Sequence, residues 1–185
     1  MSDKPDIKDF EDAVCKYHKM VFRTALGFVH IKEDAEDLTQ EVFLRAYRSW
    51  DKFRGDSEVS TWLYRITVNL SLSYIHISNR KSLIQIGGDF LKHLSGYRAG
   101  EPDPHQRMER EEQERRIAKA IDSLSDKQRT AFILSRFDEL PQKEVASVMG
   151  ITEGAVEQLL IRAKANLKKK LEKTIGKESN ESLII

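Results

Sequence analysis

Positive charge gathers at the end of the last long helical run, where Arg162, Lys164, Lys168, Lys169, Lys170 and Lys173 are offset by Glu172. Ammonium and guanidinium groups in such numbers suit nucleic-acid phosphates, because neutralising phosphates releases condensed counterions. A lysine run alone is more often a solvated helix end. The segment before it changes that reading. From Gln142 to Leu160, small and apolar residues stand where two helices must meet steeply through a tight turn. Pro141 suits a first helical turn, Ala146 leaves room where the helices cross, and Gly150 permits the left-handed conformation that ends the first helix. Thr152 can cap the second helix, and Val145, Met149, Ile151, Val156 and Leu160 supply the core between the two. Turn chemistry, core positions and charge agree, which predicts a helix-turn-helix that binds DNA.

No other chemistry competes with it. The five histidines, His18, His30, His76, His93 and His105, are scattered, with His93 and His105 expected in solvent, and no glycine-rich phosphate loop precedes a helix. Cys and His have no metal-ligand spacing, so no catalytic set, metal or cofactor is expected. The single Cys15 cannot form an internal disulfide and reads as a core residue of a protein in a reducing, cytoplasmic compartment. The chain starts on charged residues and has no run of some eighteen apolar residues, so neither secretion nor membrane insertion is expected.

The elements that must carry this site are helical throughout. With 185 residues, 39% hydrophobic and 33% charged, the chain has length for one medium domain or two small ones. Apolar residues recur at three- and four-residue steps over Ile7 to Val29 (Phe10, Val14, Tyr17, Val21, Ala25, Phe28) and again over about 33–50 (Ala35, Leu38, Val42, Ala46). After a polar break at Gly55 and Asp56, a third run from Ser60 to about Ile77 carries Trp62, Leu63, Ile66, Leu70 and Tyr74. Three such helices can share one core. Periodicity lapses from Ser82 to about Gln106, where glycine and proline punctuate a linker. It returns in a charged helix ending at Leu124, followed by Ser125-Asp126-Lys127-Gln128, which has the form of a capping box, and by Ala131, Ile133, Leu134 and Phe137. The predicted fold is therefore all-α: two small helical domains, 1–81 and 108–175, joined by a flexible linker, 82–107, with the helix-turn-helix in the second and a fraying tail, 176–185. The net charge of +1 hides a segregation: residues 1–44 hold six Lys/Arg against ten Asp/Glu, whereas residues 45–81 hold seven against three. A chain so near neutrality lacks a broad positive field, so its DNA contacts should be local and dependent on a partner.

Taken in order, several segments resemble the sigma-70 family of bacterial RNA polymerase initiation factors, in its small extracytoplasmic-function (ECF) group. They are Asp34 to Ala46 (DAEDLTQEVFLRA), Phe53-Arg54-Gly55, Thr61 to Ile66 with Asn69, Leu124 to Arg129, Glu144-Val145-Ala146 and Gly150 to Val156. The resemblance implies a non-catalytic factor that binds core RNA polymerase and directs promoter recognition, melting and transcription initiation, with residues 1–81 similar to sigma region 2 and 108–175 to region 4. It implies that Asp37, Gln40 and Glu41 meet the β′ clamp helices, and the acidity of that end suits a basic partner. It implies that Arg48, Lys52, Arg54, Trp62, Arg65, Asn69, Arg80 and Lys81 serve the −10 element, where an unstacked base must be held by aromatic packing, hydrogen bonds and phosphate contacts. A tryptophan at helical spacing is also a natural core residue, so both roles stay open for Trp62. In the −35 major groove it places Thr152, Glu153, Glu157 and Gln158 nearest bases and Arg162 and Lys164 on phosphates. An anti-sigma factor is implied as a protein partner.

This chain departs from the pattern twice. Many relatives have Lys-Ser-Arg at Glu157-Gln158-Leu159, and an acidic residue followed by arginines within Ser73 to Ser78. A linker of about 26 residues reaches at most roughly 90 Å, enough for two elements about two helical turns, ~70 Å, apart. The rival reading is a stand-alone helix-turn-helix regulator whose N-terminal helices dimerise or sense, and a helical scaffold is a third.

Overall fold

The structure is a computed structural model that describes residues 7–53, 55–78 and 104–172, with backbone alone at 7, 78 and 104–111. Helix α1 (Ile7–Val29) and α2 (Lys32–Ser49) form a tight hairpin. His30 makes the turn by taking a left-handed φ of 62°, and its N–H donates to Leu26 O at 2.9 Å. Glu33 and Asp34 then favour the positive end of α2. A 3₁₀ turn, Trp50–Lys52, leads through Gly55, at φ 73°, into α3 (Val59–Ser78). Val21, Ala25 and Leu26 of α1, Ala35, Leu38, Val42 and Ala46 of α2, and Leu63 and Leu70 of α3 bury one another in a three-helix core.

The second unit consists of α4 (Pro104–Asp122), α5 (Asp126–Arg136), α6 (Gln142–Met149) and α7 (Glu153–Glu172). Ile117 and Ile121 of α4, Ile133 and Leu134 of α5, Val145 of α6 and Val156, Ala163 and Leu167 of α7 form its core. Among the described residues no helix is long and apolar enough to cross a membrane.

Several expectations change in detail. Cys15 is exposed rather than buried, because it lies beside the α1 stripe of Val14, Tyr17 and Val21 and not on it. The capping box does not close: Ser125 sits at the N-cap of α5 with no side-chain cap bond, and Gln128 instead accepts from Asn166 Nδ2 at 3.1 Å, tying α5 to α7. Pro141 is the N-cap of α6 rather than part of its first turn, and its carbonyl accepts from the N–H groups of Glu144 and Val145. Residues 104–107, read as linker, are the first turn of α4, a place where a proline N–H is not missed; His105 is therefore on a helix. The rest of the linker and the tail lie outside the described residues.

Candidate nucleic-acid and polymerase interfaces

On α2, Asp37 and Gln40 are exposed, and Glu41 is half-buried and accepts from Arg45 Nε at 2.8 Å. Spacing of three, four and seven residues puts Leu44 on the same stripe, and Leu44 and Tyr47 are exposed there. This face is acidic at one end and apolar at the other. Behind it, Tyr74 of α3 is pushed up to about 12, chiefly by burial and then by its hydrogen bond to Asp34 and the charges of Asp34 and Asp37. A protonated tyrosine thus braces the start of α2.

At the far end of α2, Arg48 and Lys52 are exposed beside an aromatic nest. Trp50, Phe53 and Trp62 stand with ring centroids 5.1 to 5.9 Å apart, and Phe10 packs on Trp50 at 5.2 Å. Trp62 is half-buried within this nest. Trp50, which is buried, and Phe53 were missed by periodicity alone because they lie past the end of α2, where the helical repeat stops. Further along α3, Arg65 and Asn69 are four residues apart on an outward-facing stripe. They line a cleft of about 390 Å³ with Asp126, Lys127, Thr130 and the Val148–Ile151 turn. Arg65 donates to Ser147 O at 2.7 Å and Val148 O at 3.3 Å. Arg54, Arg80 and Lys81 lie outside the described residues.

The helix-turn-helix has the expected turn. Gly150 ends α6 at φ 65°, Ile151 N–H donates to Ala146 O at 3.1 Å, and Ala155 N–H donates to Thr152 Oγ1 at 3.3 Å. Val156, Ala163, Leu167 and Leu171 hold one face of α7 in the core. Thr152, Glu153, Glu157, Gln158 and Arg162 are exposed, and Lys164 is half-buried. A Cβ built on Gly154 would meet nothing within 4 Å, so the start of α7 stands clear of the protein around it. No group of His, Cys, Asp and Glu among the described residues could hold a metal ion.

A helix-turn-helix unit with an open, basic-ended second helix, coupled to a three-helix unit with an acidic face, defines a DNA-binding factor that works alongside a protein partner. Residues 13–80 match the family Sigma-70 region 2, and residues 114–167 match Sigma-70, region 4. The chain is 31% identical over 170 residues to the RNA polymerase sigma-H factor of Pseudomonas aeruginosa, covering 90% of this chain and 88% of that one. It is 32% identical over 182 residues to the ECF RNA polymerase sigma-E factor of Escherichia coli, covering 93% and 91%. In fold it is similar to CnrH, solved with the cytosolic domain of CnrY (TM-score 0.63, 23% identity, 91% and 90% covered). It is also similar to the sigma factor RpoE of Bartonella quintana, solved with the anti-sigma factor NepR (TM-score 0.62, 22% identity, 90% and 98% covered). The chain belongs to the ECF group of the sigma-70 family: it is an RNA polymerase sigma factor that directs transcription initiation, and it is not an enzyme.

Proposed function

We propose that residues 1–81 dock on core polymerase and engage the −10 element, that 108–175 read the −35 element, and that 82–107 tether the two. Asp37, Gln40 and Glu41 meet the β′ clamp helices. Arg48, Lys52, Arg54, Arg80 and Lys81 steer the −10 strand, while Trp62, Arg65 and Asn69 hold it. Thr152, Glu153, Glu157 and Gln158 face base edges, and Arg162 and Lys164 hold phosphates. The observation that carries this reading is the division of α7 into a buried face and an exposed one that contains Glu153, Glu157, Gln158 and Arg162, with Thr152 exposed just before the helix. Such a helix has its polar side free for a groove. Acidic Asp37 beside exposed Leu44 gives the polymerase face both charge and apolar area, the combination that aids encounter and then holding. The chain works in the cytoplasm, where polymerase and promoter are. Its −35 reading must differ from that of relatives with Lys-Ser-Arg, because Glu157 can accept from a cytosine amino group and Gln158 can pair with adenine. Two structural neighbours carry bound CnrY and NepR, and by likeness an anti-sigma factor restrains this chain too.

Mixing the chain with core polymerase and following complex formation by gel filtration tests the reading. A stoichiometric complex that starts RNA at defined promoters is expected, and Asp37→Lys with Glu41→Lys should weaken it at least tenfold. Tight binding of a duplex operator by the chain alone, as a dimer and without any polymerase complex, would instead favour a stand-alone regulator.

A further inference from the structure

The exposed face of α7 carries an apolar group that the fold does not use. Ile161 is 53% exposed, while its neighbours Leu159 and Leu160 are half-buried against the core. A β-branched side chain is a poorer helix former than alanine, and at Ile161 little burial offsets that. A single exposed apolar residue is ordinary on a protein surface. The position of this one gives it meaning.

At 3.6 residues per turn, Gly154, Gln158, Ile161 and Ala165 form one stripe at steps of four, three and four. All four are exposed, and the stripe lies opposite Val156, Ala163 and Leu167, which are buried. The line of a groove-bound helix farthest from its own core is the line nearest the base edges. On α7 that line holds no charge: the carboxylate of Glu157 flanks it on one side and the guanidinium of Arg162 on the other. A Cβ on Gly154 would meet nothing within 4 Å, and Ala165 carries only a methyl, so Gln158 and Ile161 are the two side chains that project from it.

We infer that Ile161 is a specificity-determining residue of the −35 contact, packing on the C5-methyl group of a thymine in the major groove beside the base that Gln158 reads. The inference rests on the −35 role proposed for α7. Among the groups that base pairs present in the major groove, the thymine methyl is the apolar one. Cytosine presents an amino donor there instead, which would lose water against isoleucine without gaining a partner. Three residues of helix rise about 4.5 Å, somewhat more than the ~3.4 Å between base pairs. Gln158 and Ile161 therefore address base pairs one or two steps apart. A protein partner fits the stripe less well. With glycine, glutamine and alanine for company, one isoleucine makes no apolar patch of the size that marks protein interfaces.

The test removes the methyl from the DNA and the isoleucine from the protein, separately and together. The native chain, Ile161→Ala and Gln158→Ala, each combined with core polymerase, select from promoter duplexes randomised over the −35 segment. The native holoenzyme should select a thymine, on either strand, within two base pairs of the position where Gln158→Ala loses its preference. Ile161→Ala should lose the preference for that thymine alone. In the selected promoter the thymine is then replaced by deoxyuridine, which lacks only the methyl. In equilibrium competition the native holoenzyme should bind the uracil promoter about fourfold more weakly, the fold-change that burial of one methyl group corresponds to. The Ile161→Ala holoenzyme should bind both promoters alike. Alanine is the better helix former and the site is exposed, so this loss of discrimination does not come from a melted helix. Uracil at each selected −35 thymine with no effect on the native holoenzyme, or with equal effect on native and Ile161→Ala, overturns the inference. So does an Ile161→Ala chain that binds core polymerase itself tenfold more weakly while still telling thymine from uracil, which makes Ile161 a protein contact. A native holoenzyme with no −35 preference at all overturns the −35 reading as well, and that outcome is distinct because it is seen before any residue is changed.

Discussion

Replacing Asp138 by Asn should make the chain more stable at neutral pH and leave it little changed in acid. The Asp138 side chain is wholly buried, while its partner Arg23 is 39% exposed. Burial pushes the Asp138 carboxyl up to about 6, against the hydrogen bonds from Thr24 and Arg23 and the charge of Arg23. Arg23 is itself raised: its own burial works against its charge, but the bond to Asp138 and that group's charge prevail. The two shifts are compatible, because the exposed partner loses little hydration on pairing and the buried one loses nearly all of it. A carboxyl moved from 3.8 to about 6 corresponds to roughly 3 kcal/mol. The folded chain holds the proton more tightly than the unfolded one does. The contribution is therefore complete below about pH 4 and is lost as pH rises through about 6. Asparagine keeps the size and one accepting oxygen for Arg23 and has no proton to lose, and its NH2 can donate to Thr24 Oγ1 while that hydroxyl donates to Met20 O. Urea titrations from pH 4 to 8, followed by circular dichroism, should show the stability of Asp138→Asn relative to the native chain rising by about 3 kcal/mol across that range. Tyr64, Glu139 and Glu144 also act on this cluster, but they are the same in both chains, so the difference isolates position 138. A difference that stays level, or a native chain that gains on the variant as pH rises, would show that Arg23 and Thr24 favour the carboxylate more than burial disfavours it.

Other perturbations act on single steps of the same structure. Gly150→Ala places a Cβ at φ 65° and should cost about 1–2 kcal/mol, read as a lower denaturation midpoint. Thr152→Ala removes the oxygen that accepts from Ala155 N–H and should cost about 1 kcal/mol of stability in the same measurement. Lys164→Ala should lower the salt slope of promoter DNA binding by about one if its ammonium meets a phosphate. An unchanged slope removes Lys164 from that role.

The helix-turn-helix was the most legible part of the chain because each of its devices is local. Gly150 must be left-handed, Thr152 must cap, and Val145 and Val156 must be buried, all within a few residues of one another. The three N-terminal helices were legible for the same reason, since α2 buries a stripe that repeats every three or four residues. Cys15, Ser125 and Pro141 were misplaced by a residue or by one bond, where a neighbouring partner outcompeted the local signal. The aromatic nest was only partly legible, because Trp50 and Phe53 are brought to Trp62 by the turn after α2 and not by any repeat.

What the sequence concealed is the second face of α3. Leu63 and Leu70 point into the core of their own unit, whereas Tyr64 and Val68 enter the core of the other. A helix with two apolar faces reads from periodicity as one broad stripe, and nothing in that stripe says that its halves serve different neighbours. The same holds for α1, where Leu26 faces inward and Phe28 faces the second unit. The residues read as a DNA surface, Arg65 and Asn69, were legible as basic and polar positions on α3, but their engagement with Ser147, Val148 and the cleft depends on residues distant in sequence, on the far side of the linker.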